Sequence, residues 1–81
     1  MLKVDDNTEM GFVRIAETYP DNFILVKIVE IDHSKGIETG IVLYISTSRE
    51  ELVSQAKTEG IMDITIVIQG ENLVPVLGGL L

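Results

Sequence analysis

The residues with most chemical capacity are His33, in the run Asp32-His33-Ser34, and three sets of carboxylates: Glu30, Asp32 and Glu38; Asp5, Asp6 and Glu9; and Glu50 with Glu51. A histidine beside an aspartate and a serine has the composition of a nucleophilic triad. Adjacent residues on an extended strand point to opposite faces, however, so Asp32 does not orient His33 by being its neighbour. His33 is the single histidine and there is no cysteine, so a metal would lack a second nitrogen or sulfur ligand. Asp, Ser, Lys and Gly in the run Asp32 to Gly36 are what a tight turn uses. A two-carboxylate hydrolase needs one acid raised by burial, whereas these carboxylates have the setting of solvated turn and terminal charges. Glu50 and Glu51 are explained by the positive start of a helix. No Asp-x-Asp-x-Asp-Gly calcium loop occurs, and the glycines form neither Gly-x-Gly-x-x-Gly nor Gly-x-x-x-x-Gly-Lys. With no nucleophile, base and anion-stabilising group brought together, the expectation is a chain without catalytic activity, cofactor or metal.

The elements are easier to read than the chemistry. Ser48 and Glu51 have capping-box spacing: the serine oxygen accepts from the N–H three residues on, and the glutamate reaches back to the N–H of the cap. The helix they open is expected over Arg49 to Glu59, with Leu52, Val53 and Ala56 inward and Gly60 in the left-handed position after it. Before it, Phe23 to Asp32 and Ile41 to Ile45 are β-branched runs joined through a stretch containing Gly36, which predicts an antiparallel hairpin. After it, Ile64 to Gln69 alternates strictly, and the Ile64, Ile66, Ile68 side is expected to be core. Near the start, Thr8 can cap a short helix whose stripe is Phe12, Ile15 and Ala16; Gly11 weakens it, and Pro20 ends it at Tyr19. Pro75 marks Leu73 to Leu81 as an edge strand or irregular tail.

This order predicts a two-layer α+β domain, αββαβ, with both helices on one face of the sheet. The chain of 81 residues makes one domain, 1–81, with residues 1–7 and 77–81 expected to be mobile. A domain of this size buries only about 60% of the surface its unfolded chain exposes. Disulfides and metals are nearly excluded, which leaves oligomerisation as the remaining support. Thirteen acidic against six basic residues give a net charge of −7, which opposes nucleic acid and anionic lipid over a screening length of about 8 Å. The basic residues Lys3, Arg14, Lys27, Lys35, Arg49 and Lys57 are scattered singly, unlike a nucleic-acid site. There is neither a secretory leader nor an apolar run of about 18 residues, so a cytoplasmic protein with no membrane partner is expected.

Two resemblances extend these expectations. The stretch Ile66-Val67-Ile68-Gln69-Gly70-Glu71-Asn72-Leu73-Val74-Pro75, followed by Gly78-Gly79, resembles the ubiquitin-like and sulfur-carrier proteins. That resemblance implies a C-terminal diglycine adenylated by an activating enzyme, after removal of Leu80 and Leu81. A longer stretch is similar to small prokaryotic proteins of unknown function. It comprises Tyr19-Pro20-Asp21-Asn22-Phe23, a hairpin, Ser46-Thr47-Ser48-Arg49-Glu50-Glu51-Leu52 and Gln69-Gly70-Glu71. Those proteins open on Tyr-Pro-x-x-Trp and close near Thr-Gly-Glu; here Phe23 replaces the tryptophan and Gln69 the threonine. The resemblance covers Tyr19 to Glu71, carries no catalytic residues, and implies a small accessory or interaction protein.

In the first long strand both parities are apolar, where a sheet with one solvated face would alternate. The uncovered face is therefore expected to meet a second copy in a homodimer, or another protein, through Phe23, Val26, Ile28, Val42 and Tyr44, with Tyr44 the main anchor. The alternatives are that the C-terminal stretch folds back over that face, that the chain is a carrier using Gly78-Gly79, and that it binds a small ligand.

Overall fold

A computed structural model of the chain describes residues 1–71. The elements are β1 (Leu2–Lys3), β2 (Met10–Gly11), α1 (Phe12–Thr18), β3 (Phe23–Asp32), β4 (Ile37–Ser46), α2 (Arg49–Glu59), a 3-10 turn (Met62–Ile64) and β5 (Thr65–Gln69). The fold is thus α+β, with two helices and a five-stranded antiparallel sheet. Before α1 stand two short strands, β1 and β2, that the expected αββαβ order does not include. The stretch Leu73 to Leu81, expected as an edge strand or irregular tail, lies outside the described residues, and with it Gly78-Gly79 and residues 77–81.

Helix α2 begins and ends where its local chemistry dictates. Ser48 is the N-cap and its Oγ accepts from the Glu51 N–H at 3.4 Å, while Gly60 closes the last turn at φ 68°. The other half of the capping box is rebuilt: the Ser48 N–H donates to Ser46 Oγ at 3.0 Å, and Ser46 Oγ donates to Glu51 Oε1, also at 3.0 Å. A serine two residues before the cap therefore relays a bond that Glu51 was expected to make directly. Helix α1 starts later than Thr8, with Gly11 at its N-cap. Thr8 instead donates its N–H and hydroxyl to Asp6 Oδ1, which makes a local turn in place of a cap.

The strand order is β1-β4-β3-β5, with β2 also paired to β4. Strands β4 and β5 both run antiparallel to the β3 between them, and α2 makes the crossover. The hairpin is irregular at two places. Leu43 is passed over between the pairs Leu25 with Tyr44 and Val26 with Val42, and Val29 is passed over between Ile28 with Gly40 and Glu30 with Thr39. Each bulge increases the local twist. Near the start of the chain, Leu2 and Lys3 pair with Ile45 and Tyr44, and the Val4 N–H donates to the Leu43 carbonyl at 2.9 Å.

Two apolar clusters use alternate residues of β3, so they lie on opposite faces of the sheet. One joins Ile24, Val26 and Val42 to Ile15 of α1; the other joins Leu25 to Leu52 and Ala56 of α2. The helices are therefore not on one face, as expected, but on both. This explains why β3 is apolar at both parities, since each parity faces its own helix. Fully burying such side chains contributes about 1.5–3 kcal/mol each. Gly40 makes the α1 layer possible, because a Cβ there would meet Val26 Cγ1, come within 2.6 Å of the Lys27 carbonyl oxygen and lie 3.3 Å from the Phe12 ring.

Candidate functional site

The hairpin tip holds the residues with the most reactive side chains, and its geometry is that of a turn. Asp32 Oδ1 accepts from the Ser34 N–H at 3.1 Å and the Ser34 hydroxyl at 2.6 Å. The Ser34 hydroxyl is the main cause that holds the Asp32 carboxyl below its usual range. His33 is exposed, and its carbonyl accepts from the Gly36 N–H at 3.3 Å. Of the remaining carboxylates, Glu9 accepts from the Thr39 hydroxyl at 2.7 Å, tying the start of the chain to β4. Glu51 accepts from Ser46 and lies 2.9 Å from the α-amino group of Met1. That ammonium is the largest cause of its lowered pKa, followed by Ser46. Among the described residues no three His, Asp or Glu side chains converge as metal ligands, and no helix is long and apolar enough to cross a membrane.

The five residues expected to form an interface do not share one surface. Val26 and Val42 are 0% and 2% exposed and are packed with Ile15 beneath α1, so their contacts are already filled within the chain. Ile28 is half-buried and faces Gly40 on the same side. Phe23 and Tyr44 are on the other side, against the Leu25, Leu52 and Ala56 cluster. The Tyr44 hydroxyl donates to Glu59 Oε2 at 2.7 Å, and Gln55 Nε2 donates to the same oxygen at 2.6 Å. Gln55 first and Tyr44 second hold the Glu59 carboxyl below its usual range, and the bond to Glu59 raises the Tyr44 phenol. Beside Tyr44 a cleft of ≈ 430 Å³ is lined by Lys3, Asp5, Asn7 and Glu59. Its central polar groups are engaged with one another.

The feature that sequence reasoning misplaced is the outer edge of β5. The alternation of Ile64, Ile66 and Ile68 was read as a core face. Ile68 does pack against the Ile24 cluster, but Ile66 is 38% exposed, Ile64 42% and Met62 48%. Ile64 belongs to the 3-10 turn, and Ile66 lies opposite Val26 on the α1 side. Among the described residues β5 pairs only with β3, leaving its other edge open. The strand is fixed at both ends. Thr65 Oγ1 donates to the Ile61 carbonyl at 2.9 Å; the Gly70 N–H donates to Asn22 at 2.7 Å, and the Glu71 N–H to Ala16 of α1 at 3.2 Å. On the α2 side a shallow cavity of ≈ 170 Å³ runs along the strand, lined by Val53, Ala56, Met62 and Val67, with Arg49 its charged group. The signal for this edge was present in the sequence: Thr65-Ile66-Val67-Ile68-Gln69 has no charge and no proline. Such a strand suits a place where nothing has to keep other strands away. Comparison with protein-family models, with curated proteins and with solved structures finds no match to this chain.

Proposed function

We propose that the chain is a protein-interaction module that self-associates through the outer edge of β5. One observation supports the reading: a strand of five uncharged residues that is at the sheet edge among the described residues, hydrogen-bonded at both ends, with Ile66 exposed on its flank. Solvent-facing edges in natural sheets are blunted by lysine, proline, bulges or brevity, because free N–H and C=O groups recruit other strands. None of the first three devices occurs in Thr65–Gln69. Pairing satisfies the edge by backbone hydrogen bonds and draws Ile66 and Met62 out of water. No catalytic step is part of the reading.

Native mass spectrometry and sedimentation over a range of concentrations test it. A concentration-dependent dimer is expected, and it should strengthen with salt because each copy carries a net charge of −7. A monomer at every concentration would overturn the reading.

A further inference from the structure

We infer that two copies meet about a two-fold axis at Val67, so that Thr65 lies opposite Gln69, Ile66 opposite Ile68, and Val67 opposite its own copy. This rests on the self-association reading and specifies its partner and register. In an antiparallel pair, residues directly opposite each other point to the same face. A two-fold axis normal to the sheet keeps each residue's face unchanged. Facing positions must therefore have the same parity, and one residue of β5 must face itself. That restricts the choice to a few registers, and side-chain matching selects among them.

With the axis at Val67 all five residues of β5 are paired, aliphatic against aliphatic and polar against polar. With the axis at Ile66, Thr65 would face Val67. With the axis at Ile68, Val67 would face Gln69 and Thr65 would face Glu71. Both alternatives shorten the ladder and set polar against apolar side chains. The strand's own pattern, polar-Ile-Val-Ile-polar, reads the same in both directions, which is what a symmetric self-pairing requires. The ends agree with this. Beyond Gln69 the Gly70 and Glu71 N–H groups bond to Asn22 and to α1, drawing Glu71 off the strand line, and Asp63 belongs to the 3-10 turn. The like charges at the two ends thus stay outside the ladder. The joined sheet has the order β1-β4-β3-β5-β5-β3-β4-β1.

The absence of native cysteine permits a direct test with single-cysteine variants of the full chain. Facing residues have Cα atoms about 4.5–5.5 Å apart, within the roughly 4.4–6.8 Å a disulfide spans. Under mild oxidation Val67→Cys should convert most of the chain to a covalent dimer. A mixture of Thr65→Cys with Gln69→Cys should crosslink at least about tenfold faster than either alone, which keeps the test sound if Val67→Cys folds poorly. Preferential self-crosslinking of Ile66→Cys or Ile68→Cys would overturn the register and leave self-association standing. A monomer without crosslinks in any variant would overturn both. In that monomer, slow hydrogen exchange along β5 would assign the edge to the chain's own residues 72–81.

Discussion

Along the outer side of β4, two strands of two residues each are pinned by the Val4 to Leu43 bond and the Glu9 to Thr39 bond. Along the outer side of β5, five consecutive uncharged residues have, among the described residues, no partner. The first edge is covered by short pieces and by a segment rich in charge, Lys3, Asp5, Asp6 and Glu9, none of which offers a template for another chain. The second offers one. Apolar content and openness thus part company: the most apolar part of the sheet, around Ile24 and Val26, is occupied by α1 and α2, while the edge left open among the described residues lies where the apolar side chains are fewer.

The largest expected effect separates the two edges directly. Ile66→Lys should weaken self-association at least 100-fold, about 2.7 kcal/mol, and leave the thermal unfolding midpoint of the monomer unchanged. Leu2→Lys, at a residue 62% exposed on the opposite edge, should leave association unchanged. Equal loss from both substitutions in sedimentation would erase the distinction. Next comes the seam beneath α1. Gly40→Ala drives a methyl group onto Val26 and the Lys27 carbonyl and should cost about 1–3 kcal/mol in urea unfolding. Gly11→Ala is the matched control, because its nearest obstacle, the Glu38 carbonyl oxygen, is 3.8 Å away.

Much of the fold was legible because its signals are local. Helix α2 has its cap, glycine stop and apolar spacing inside its own sequence, and its bounds match Arg49 to Glu59. The hairpin turn at Gly36 is equally local. Strands β1 and β2 were not legible: two residues carry no period, and each exists only because β4 is there to receive it. The placement of α1 on the face opposite α2 was also missed. Both parities of β3 are apolar in the sequence, and with both helices expected on one face the second parity was left to a partner or to the C-terminal stretch. For the candidate site, alternation in β5 showed that its two sides differ, but periodicity contains nothing about whether a strand is central or at an edge.

Smaller effects sharpen the comparison from the interior. Ser46→Ala removes the relay between the Ser48 N–H and Glu51 and should cost about 1 kcal/mol, read as a lower urea midpoint without a change in oligomeric mass. The smallest effect concerns pH. Glu59 is held below its usual range by Gln55 and Tyr44, so its contribution is complete above the unfolded carboxylate range and is lost as pH falls through the lower folded value. Tyr44 is raised by Glu59, so its contribution is present below the ordinary phenol range and is lost as pH rises through the higher folded value. Glu59→Gln should flatten both limbs of the stability profile, and Tyr44→Phe should remove the alkaline limb and only partly flatten the acid one, because Gln55 is the larger cause at Glu59. A profile unchanged in both variants would remove this pair from the account of the closed side of the molecule.

The covering of β4 by β1 and β2 also has a bearing on how far assembly can proceed. A sheet with two receptive margins polymerises, because each added unit presents a fresh margin identical to the one just consumed. If two copies join as proposed, the β5 margin is consumed, and among the described residues the ends that remain are the β1 and β2 margins, which are too short to serve as a ready template for a third. On that proposal, four residues in two short strands would act as a terminator, separating a finite particle from a fibre.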